Sequence, residues 1–408
     1  MPGALAGVRV LDFTERMQGP YGTQILGDLG ADIIKVERKS ALTPDGRTDD
    51  RYGVDELYGK VPEASSIYPA AFLASNRNKR SLALDLKSAE GLDVARRLVA
   101  FCDVVYENFR PGVMDRLGLG YQDCAAINPA IVYASASGYG TDGPYARFPG
   151  QDVLAQAISG FGAMNASAPG RPTPVGMSIT DLLGGMNGAI AVLAALVHRQ
   201  ATGEGQHVKV DLLSSAIAAQ SEQAVHFLNG HPGEPARGTV MHANPYVPPP
   251  YGFYATRDGY IALSSGRQIA QLSQILGIPD LTKDPRFDTF ANRDRNRAEM
   301  EDIIETALSR RTTAEWMPIM RENDMYAAPV HTFEAAFSDP QVAHRNLIAT
   351  IDSPIGPLKL TAPPYTFTKT PATIRSAPPR HGQHTAEILA ELDHLERSTN
   401  TARQENTP

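Results

Sequence analysis

The chain has 408 residues, of which 42% are hydrophobic and 20% charged, too apolar for a disordered chain and enough for a large core spread over two domains. Its 35 glycines and 31 prolines follow no period, which excludes a collagen-like or low-complexity chain. A formal net charge of -7 gives no general electrostatic reason to bind nucleic acid, yet it leaves room for a local basic pocket around one phosphorylated ligand.

Two cysteines, Cys102 and Cys124, cannot build a disulfide framework and lack metal-ligand spacing; both sit in apolar runs and read as buried packing thiols. The first residues carry neither a basic segment nor a long apolar one, so no signal peptide is expected. The longest apolar run, residues 188–197, is about half of the ~20 residues a bilayer needs. The expectation is a soluble, cytoplasmic protein with no bound metal, no membrane contact and no nucleic-acid partner.

In chain order, residues 8–13 form a β-branched, mostly apolar run suited to a buried strand. A helix-like stretch follows Gly19-Pro20 and stops at Gly30. Residues 31–36 read as a second strand, ending in Glu37-Arg38-Lys39. Polarity rises over residues 39–74, which suggests a lid-like excursion. Residues 82–86 read as a strand, Ser88 as the cap of a helix through Phe101, and residues 103–107 as another strand. Pro111 suits the first turn of a helix that runs through Met114 to Leu117, and residues 130–136 supply one more strand. Such alternation predicts a parallel sheet covered on both faces, with ligands bound outside the carboxyl ends of its strands. Residues 181–200 predict a long buried helix broken by Gly203-Glu204-Gly205, and 207–212 a strand. Beyond Gly230 the composition changes. Residues 253–256 and 260–264 flank Arg257-Asp258-Gly259, a hairpin signal. Helices are expected over 269–276, 296–308 and 314–323, which gives a smaller α+β domain, and residues 355–367 are strand-like again.

The common chemical signatures are missing. No G-x-G-x-x-G follows the first strand, no P-loop is present, no G-x-S-x-G elbow serves a hydrolase, and no histidine pair has zincin spacing. What remains is a set of basic residues near predicted strand ends: Arg38, Lys39, Lys79, Arg80, Lys87, Arg110 and Arg116. Each alone is a solvated surface charge; converging at one sheet edge, they favour a phosphate-bearing ligand. Asn108-Phe109-Arg110-Pro111-Gly112 joins a donor, an aromatic face and a helix start, a station for adenine or phosphate. Asp181 opens the long helix, as a cap or dipole partner or as a reactive carboxylate, with Gly184 and Gly185 allowing close approach of a ligand or another backbone. Asp152, after Gly150-Gln151, reads as a helix cap.

Taken together, several segments resemble the class III CoA-transferases, a family that includes formyl-CoA transferase and the α-methylacyl-CoA racemases. They are Val10-Leu11-Asp12-Phe13, residues 26–37 with Asp28, Gly30 and Glu37, and Asn78-Lys79-Arg80-Ser81 through Asp85-Leu86-Lys87. Glu107-Asn108-Phe109-Arg110-Pro111-Gly112, Thr202-Gly203-Glu204-Gly205-Gln206 and Asp339-Pro340-Gln341-Val342 extend the likeness over nearly the whole chain. The resemblance implies an α/β fold with a Rossmann-like large domain and a smaller α+β domain, and an interlocked homodimer. On this basis residues 1–205 begin the large domain, 206–239 form a linker helix, 240–330 the small domain, and 331–408 a return segment with a frayed tail from 398.

The family's catalytic aspartate falls on Asp181, which would carry the acyl group as an anhydride and CoA as a thioester. The CoA contacts would fall on Met17, Gln18, Arg38, Leu84, Asp85, Leu86, Lys87, Asn108, Phe109, Arg110 and Arg116. Gln151, Asp152, Gly266 and Gln268 would face the acyl group. The implied activity is an acyl-CoA:carboxylate CoA-transferase, taking an acyl-CoA donor and a free carboxylic acid, with CoA as substrate and no tightly bound cofactor. The racemase branch needs a histidine in the triplet that here reads Gly150-Gln151-Asp152, and glutamine is no general base. It also needs a glutamate that would fall near Arg267, a second departure. A 2-methylacyl-CoA racemase, a nucleotide-binding oxidoreductase and a silent CoA-binding scaffold are the alternatives. Acyl selectivity is expected from residues 43–69 and 237–250.

Overall fold

A computed structural model describes residues 2–39, 70–165, 171–230, 240–353 and 356–405. The chain divides into two compact units. The first comprises Met1–Ala155, Met177–Ala216 and Pro340–Pro408, the second Gln156–Gly176 and Ile217–Asp339. The first unit thus extends past residue 205 to Ala216, and residues 331–339 go with the second.

The first unit is built on six parallel strands: β1 (Arg9–Asp12), β2 (Asp32–Arg38), β3 (Lys79–Leu84), β4 (Val104–Glu107), β5 (Val132–Ser137) and β6 (Gln206–Asp211), in the order β3-β2-β1-β4-β5-β6. Consecutive apolar residues drop into opposite cores. Leu11, Ile34, Val105 and Tyr133 face the helices Ala89–Val99, Tyr121–Ile127 and Thr385–Glu405. Their neighbours Val10, Ile33, Val104 and Val132 face the helices Gln18–Asp28 and Ile179–Thr202. That two-sided burial is why these strands read as near-continuous apolar runs.

Four sequence expectations change. β3 begins at Lys79 rather than residue 82, because the Lys79 ammonium is fully buried against Asp12 and the strand tolerates it. The expected linker helix over 206–239 opens instead with edge strand β6, followed by helices Leu212–Ala219 and Ser221–Asn229; residues 231–239 lie outside the described residues. The tail is helical through Glu405, since Arg97 pairs with Asp393 and Glu396, and Arg80 with Glu387 and Glu391. The strand-like run near 355–367 is β12 (Gly356–Thr361), paired antiparallel with β11 (Ile348–Ser353) in a sheet of its own. The excursion expected over 39–74 falls mainly on residues 40–69, outside the described residues, and ends in the helix Ala70–Ser75.

The helix Ile179–Thr202 has 24 residues and is long and apolar enough, by length and composition, to cross a membrane, longer than the apolar run within it suggests. Within the unit it lies directly on the helix Gln18–Asp28. A Cβ at Gly185 would stand 2.6 Å from the Gln18 carbonyl oxygen, and one at Gly188 only 1.7 Å from the Tyr106 hydroxyl. Glycine here admits a neighbouring backbone and ring.

The second unit holds an antiparallel sheet in the order β10-β9-β8-β7, made of β7 (Met241–His242), β8 (Tyr251–Ala255), β9 (Tyr260–Ser264) and β10 (Ala327–Pro329). β8 and β9 form the expected hairpin around residues 256–259. The helices Ile269–Leu276, Arg297–Leu308 and Thr313–Glu322 pack on it around Trp316, Phe287 and Met300. Thr312 and Glu315 close a reciprocal capping box at the start of the last of these.

Candidate active site

The strand order reverses between β1 and β4, so the loops after these two strands diverge and leave a crevice at the carboxyl edge of the sheet. No glycine turn shapes the loop after β1. Buried charge does it instead. Lys79 donates to Asp12 Oδ2 (3.0 Å), Thr23 Oγ1 (2.8 Å), the Pro20 carbonyl (3.0 Å) and Asn76 Oδ1 (3.0 Å), while Lys35 donates to the Thr14 carbonyl (2.7 Å). Burial pushes the Asp12 carboxyl up, but Lys79, Lys35 and the hydroxyls of Thr14 and Thr23 more than offset it and hold it below the usual range.

Asn108, after β4, clamps that loop from across the crevice. Its Oδ1 accepts from the Glu15 N–H (2.7 Å) and its Nδ2 donates to the Glu15 carbonyl (2.8 Å). Next to this clamp Arg16 sits at φ 68°, a left-handed conformation uncommon for an arginine. Glu15 reaches towards Arg38 (3.7 Å) on one side of the loop.

Two cavities open here. One, of about 790 Å3, is lined by Phe13, Glu15, Arg38, Lys39, Leu84, Asp85, Leu86, Lys87, Phe109 and Arg110. The other, of about 550 Å3, is lined by Arg16, Gln18, Asn108, Phe109, Arg110, residues 137–140, Gln151, Asp152 and Asp181. Phe109 and Arg110 belong to both. Twelve of the residues expected at a site therefore converge: Arg38, Leu84, Asp85, Leu86, Lys87, Phe109 and Arg110 around the first cavity, with Gln18, Asn108, Gln151 and Asp152 joining Asp181 around the second. Met17 and Arg116 are not among the lining of either. Met17 is the residue before the helix Gln18–Asp28, and Arg116 is exposed beside Gly112. Gly266 and Gln268 belong to the second unit. The Gly266 carbonyl accepts from Arg293 (3.0 Å), and the Gln268 side chain donates to the Asp324 carbonyl (3.0 Å) and accepts from the Tyr326 N–H (3.3 Å).

The two acids of the second cavity have different surroundings. Asp152 opens the helix Asp152–Ile158 but caps another one: its Oδ1 accepts from the Thr180 N–H (2.7 Å) and hydroxyl (2.8 Å) at the start of Ile179–Thr202. Capping is thus done by Asp152, and the Asp181 carboxylate has no part in it. No side-chain hydrogen bond to that carboxylate is present among the described residues. Burial, with Asp152 adding its charge, pushes the Asp181 carboxyl up to about 7. Of the two glycines after it, Gly184 admits the Gln18 side chain and Gly185 the Gln18 backbone, and so they fix where the helix start lies.

Arg16, residues 137–140 and Phe148 also line the second cavity, without a motif in the sequence to mark them. A signal existed in Gly138 and Gly150. A Cβ on either would come within 2.5 Å of the other's Cα, so the two ends of the 138–150 loop touch.

Fold and crevice together give a doubly wound parallel sheet with a half-buried carboxylate, Asp181, at its edge that accepts no side-chain hydrogen bond among the described residues. The chain belongs to CoA-transferase family III, whose family model matches residues 5–385. It is 34% identical over 391 residues to mouse succinyl-CoA:glutarate CoA-transferase, covering 95% of this chain and 86% of that protein. It is likewise 34% identical to succinate–glutarate CoA-transferase of Agrobacterium fabrum, covering 97% of each. The crystal structure of a CAIB/BAIF family protein from Brucella suis superposes with a TM-score of 0.81 at 33% identity, over 96% of this chain and 100% of the other.

Proposed function

We propose that the chain is an acyl-CoA:carboxylate CoA-transferase in which Asp181 is the covalent carrier. The supporting observation is a carboxylate without a side-chain hydrogen-bond partner among the described residues, facing a cavity that shares Phe109 and Arg110 with an apolar-walled one lined by Arg38, Lys39 and Lys87 beside Glu15, Glu37 and Asp85. Nucleotide phosphates would sit by Arg38, Lys39 and Lys87, with the pantetheine arm crossing Phe109 towards Asp181.

Asp181, ionised, attacks the thioester carbonyl; the C–S bond breaks, and a mixed anhydride and CoA thiolate result. The thiolate attacks the aspartyl carbonyl of the anhydride, releasing the donor acid and leaving an aspartyl-CoA thioester. An acceptor carboxylate then displaces thiolate to form a second anhydride, and thiolate attack on its acyl carbonyl yields the new acyl-CoA and free Asp181. No net proton is consumed. Splitting one transfer into four similar acyl exchanges avoids a single hard step. An aspartate held near pKa 7 is a better nucleophile than a solvated one. Among the described residues no histidine lines this cavity, which favours transfer over the racemase alternative.

Relatives named for succinate and glutarate make succinyl-CoA with glutarate the first pair to assay. We take the working unit to be a homodimer in a reducing, cytoplasmic setting. Met186, Ile190 and Val197 are exposed along one stripe of the helix Ile179–Thr202, an apolar face of the kind a second copy covers. Light scattering should give twice the chain mass. The decisive experiment incubates the protein with succinyl-CoA, adds hydroxylamine or borohydride, and locates the modification by mass spectrometry. Modification of Asp181 is expected; turnover with an unmodified Asp181 peptide overturns the mechanism.

A further inference from the structure

One buried acid plays no part in that mechanism. Glu107 ends β4, two residues before Phe109, and only 8% of it is exposed. Its Oε2 accepts the Phe109 N–H at 2.9 Å. Ser135, its partner across the β4–β5 ladder, hydrogen-bonds it as well. The Ser135 hydroxyl lies 2.9 Å from Nε2 of His207 on β6, whose ring stacks on Tyr121 and meets Tyr133 edge-on. Burial holds His207 neutral, down to about 4. A neutral ring with its proton on Nε2 donates to Ser135, which donates to Glu107, so one chain of donors crosses three strands and ends on the carboxylate that receives Phe109.

Phe109 and Arg110 are the two residues common to both cavities, the corner a ligand spanning them has to turn. The Phe109 N–H is the backbone atom that fixes this corner to the sheet through a side chain. We propose that Glu107 is a positioning residue: its carboxylate, braced by Ser135 and His207, holds the Phe109–Arg110 corner in the conformation that binds the pantetheine arm of CoA. This rests on the CoA-transferase reading above. Burial foremost, with Asp115 adding to it against the opposing hydrogen bonds of Ser135 and the Phe109 N–H, pushes Glu107 up to about 7. Arg110, Asp115, Tyr133, His207 and Lys209 surround the same small cavity as Glu107. The corner is therefore held most firmly above neutral pH, where the acid is ionised, and slackens below it.

The test compares wild type, Glu107→Gln and Glu107→Leu by calorimetric titration with CoA and by steady-state turnover. Glu107→Leu strips the acceptor, and the dissociation constant for CoA and KM for acyl-CoA should rise about tenfold at pH 8, with kcat changing much less. Glu107→Gln keeps an acceptor and should recover most of the affinity. Between pH 8 and pH 6 wild type should lose more CoA affinity than Glu107→Gln, a difference in which titration of CoA's own phosphates cancels. That comparison stands even if Glu107→Leu does not fold. Unchanged CoA affinity in both variants, a fall in kcat at constant KM, or parallel pH dependence of wild type and Glu107→Gln overturns the proposal. Wild type that fails to bind CoA at all overturns the transferase reading first, and this inference with it.

Discussion

Asp181→Asn should abolish transfer and, at the same time, stabilise the protein. Asp181 is raised from an ordinary 3.8 to about 7, roughly three units at about 1.36 kcal/mol each, or about 4 kcal/mol at most. The site is partly open to its cavity, so water screening reduces this to about 2–3 kcal/mol. The sign follows from where the proton is bound. Above pH 7 the folded protein must keep a buried charge that the unfolded chain solvates freely, and folding bears that penalty in full. Between pH 7 and about 4 the folded state takes up a proton that the unfolded chain does not, and the penalty fades; below 3.8 both states are neutral. Asparagine never carries the charge. Urea denaturation should therefore place Asp181→Asn above wild type by about 2–3 kcal/mol at pH 8 and by less than half of that at pH 5. An Asp181→Asn protein less stable than wild type at pH 8, or a gain independent of pH, would show that the carboxylate is satisfied in the fold and is no poised nucleophile.

Asp152→Asn keeps an acceptor for Thr180 while deleting the negative charge that helps raise Asp181, so the acid limb of kcat/KM should move to lower pH, and an unmoved limb refutes the coupling. Asp152→Ala removes the acceptor of the Thr180 N–H and leaves the fully buried Thr180 hydroxyl only the Asp152 carbonyl at 3.2 Å, and should cost about 1–3 kcal/mol in denaturation experiments. Gly188→Ala places a methyl 1.7 Å from the Tyr106 hydroxyl and should prevent soluble folding; Tyr106→Phe in the same chain removes that contact and should restore it in part. The Tyr106 hydroxyl is buried with no hydrogen-bond partner among the described residues, so Tyr106→Phe alone should be neutral or stabilising by about 1 kcal/mol, and a marked loss of thermal stability would contradict that.

Much of the first unit was legible because parallel strands buried on both faces write themselves as apolar runs, and because Ser88 and Gly203 mark helix ends by local chemistry. What escaped is non-local. Lys79 reads as a surface charge until Asp12 is brought beside it from 67 positions away. Asn108 reads as a ligand donor, yet the backbone of Glu15 occupies both ends of its amide. Asp152 reads as the cap of its own helix and caps one that starts 27 residues later. The tail after residue 398 reads as frayed because its charges look solvated, whereas Arg80 and Arg97 pair with the acids that precede it on the same helix. Resemblance to a family located Asp181; its peculiarity, a carboxylate with no side-chain hydrogen-bond partner among the described residues, is a property of the fold around it.

Three acids at the carboxyl edge of one sheet are sorted by their partners alone. Asp12 is the most deeply buried and yet stays ionised, because two ammonium groups and two hydroxyls surround it; it holds a loop and has no lone pair left for chemistry. Glu107 has neutral donors only, from Ser135 and a backbone N–H, and lies near 7, able to hold a corner at one pH and relax it at another. Asp181 has neither a cation nor a donor among the described residues and lies near 7 as well, but it faces an open cavity instead of a closed network. Burial raises all three; what differs is how much of that rise the neighbours cancel, and whether a carbonyl carbon can approach the oxygens that remain. Only Asp181 meets both conditions, high basicity and an open approach, and under the proposed mechanism a lysine introduced beside it should turn the carrier into another structural ion pair and abolish transfer.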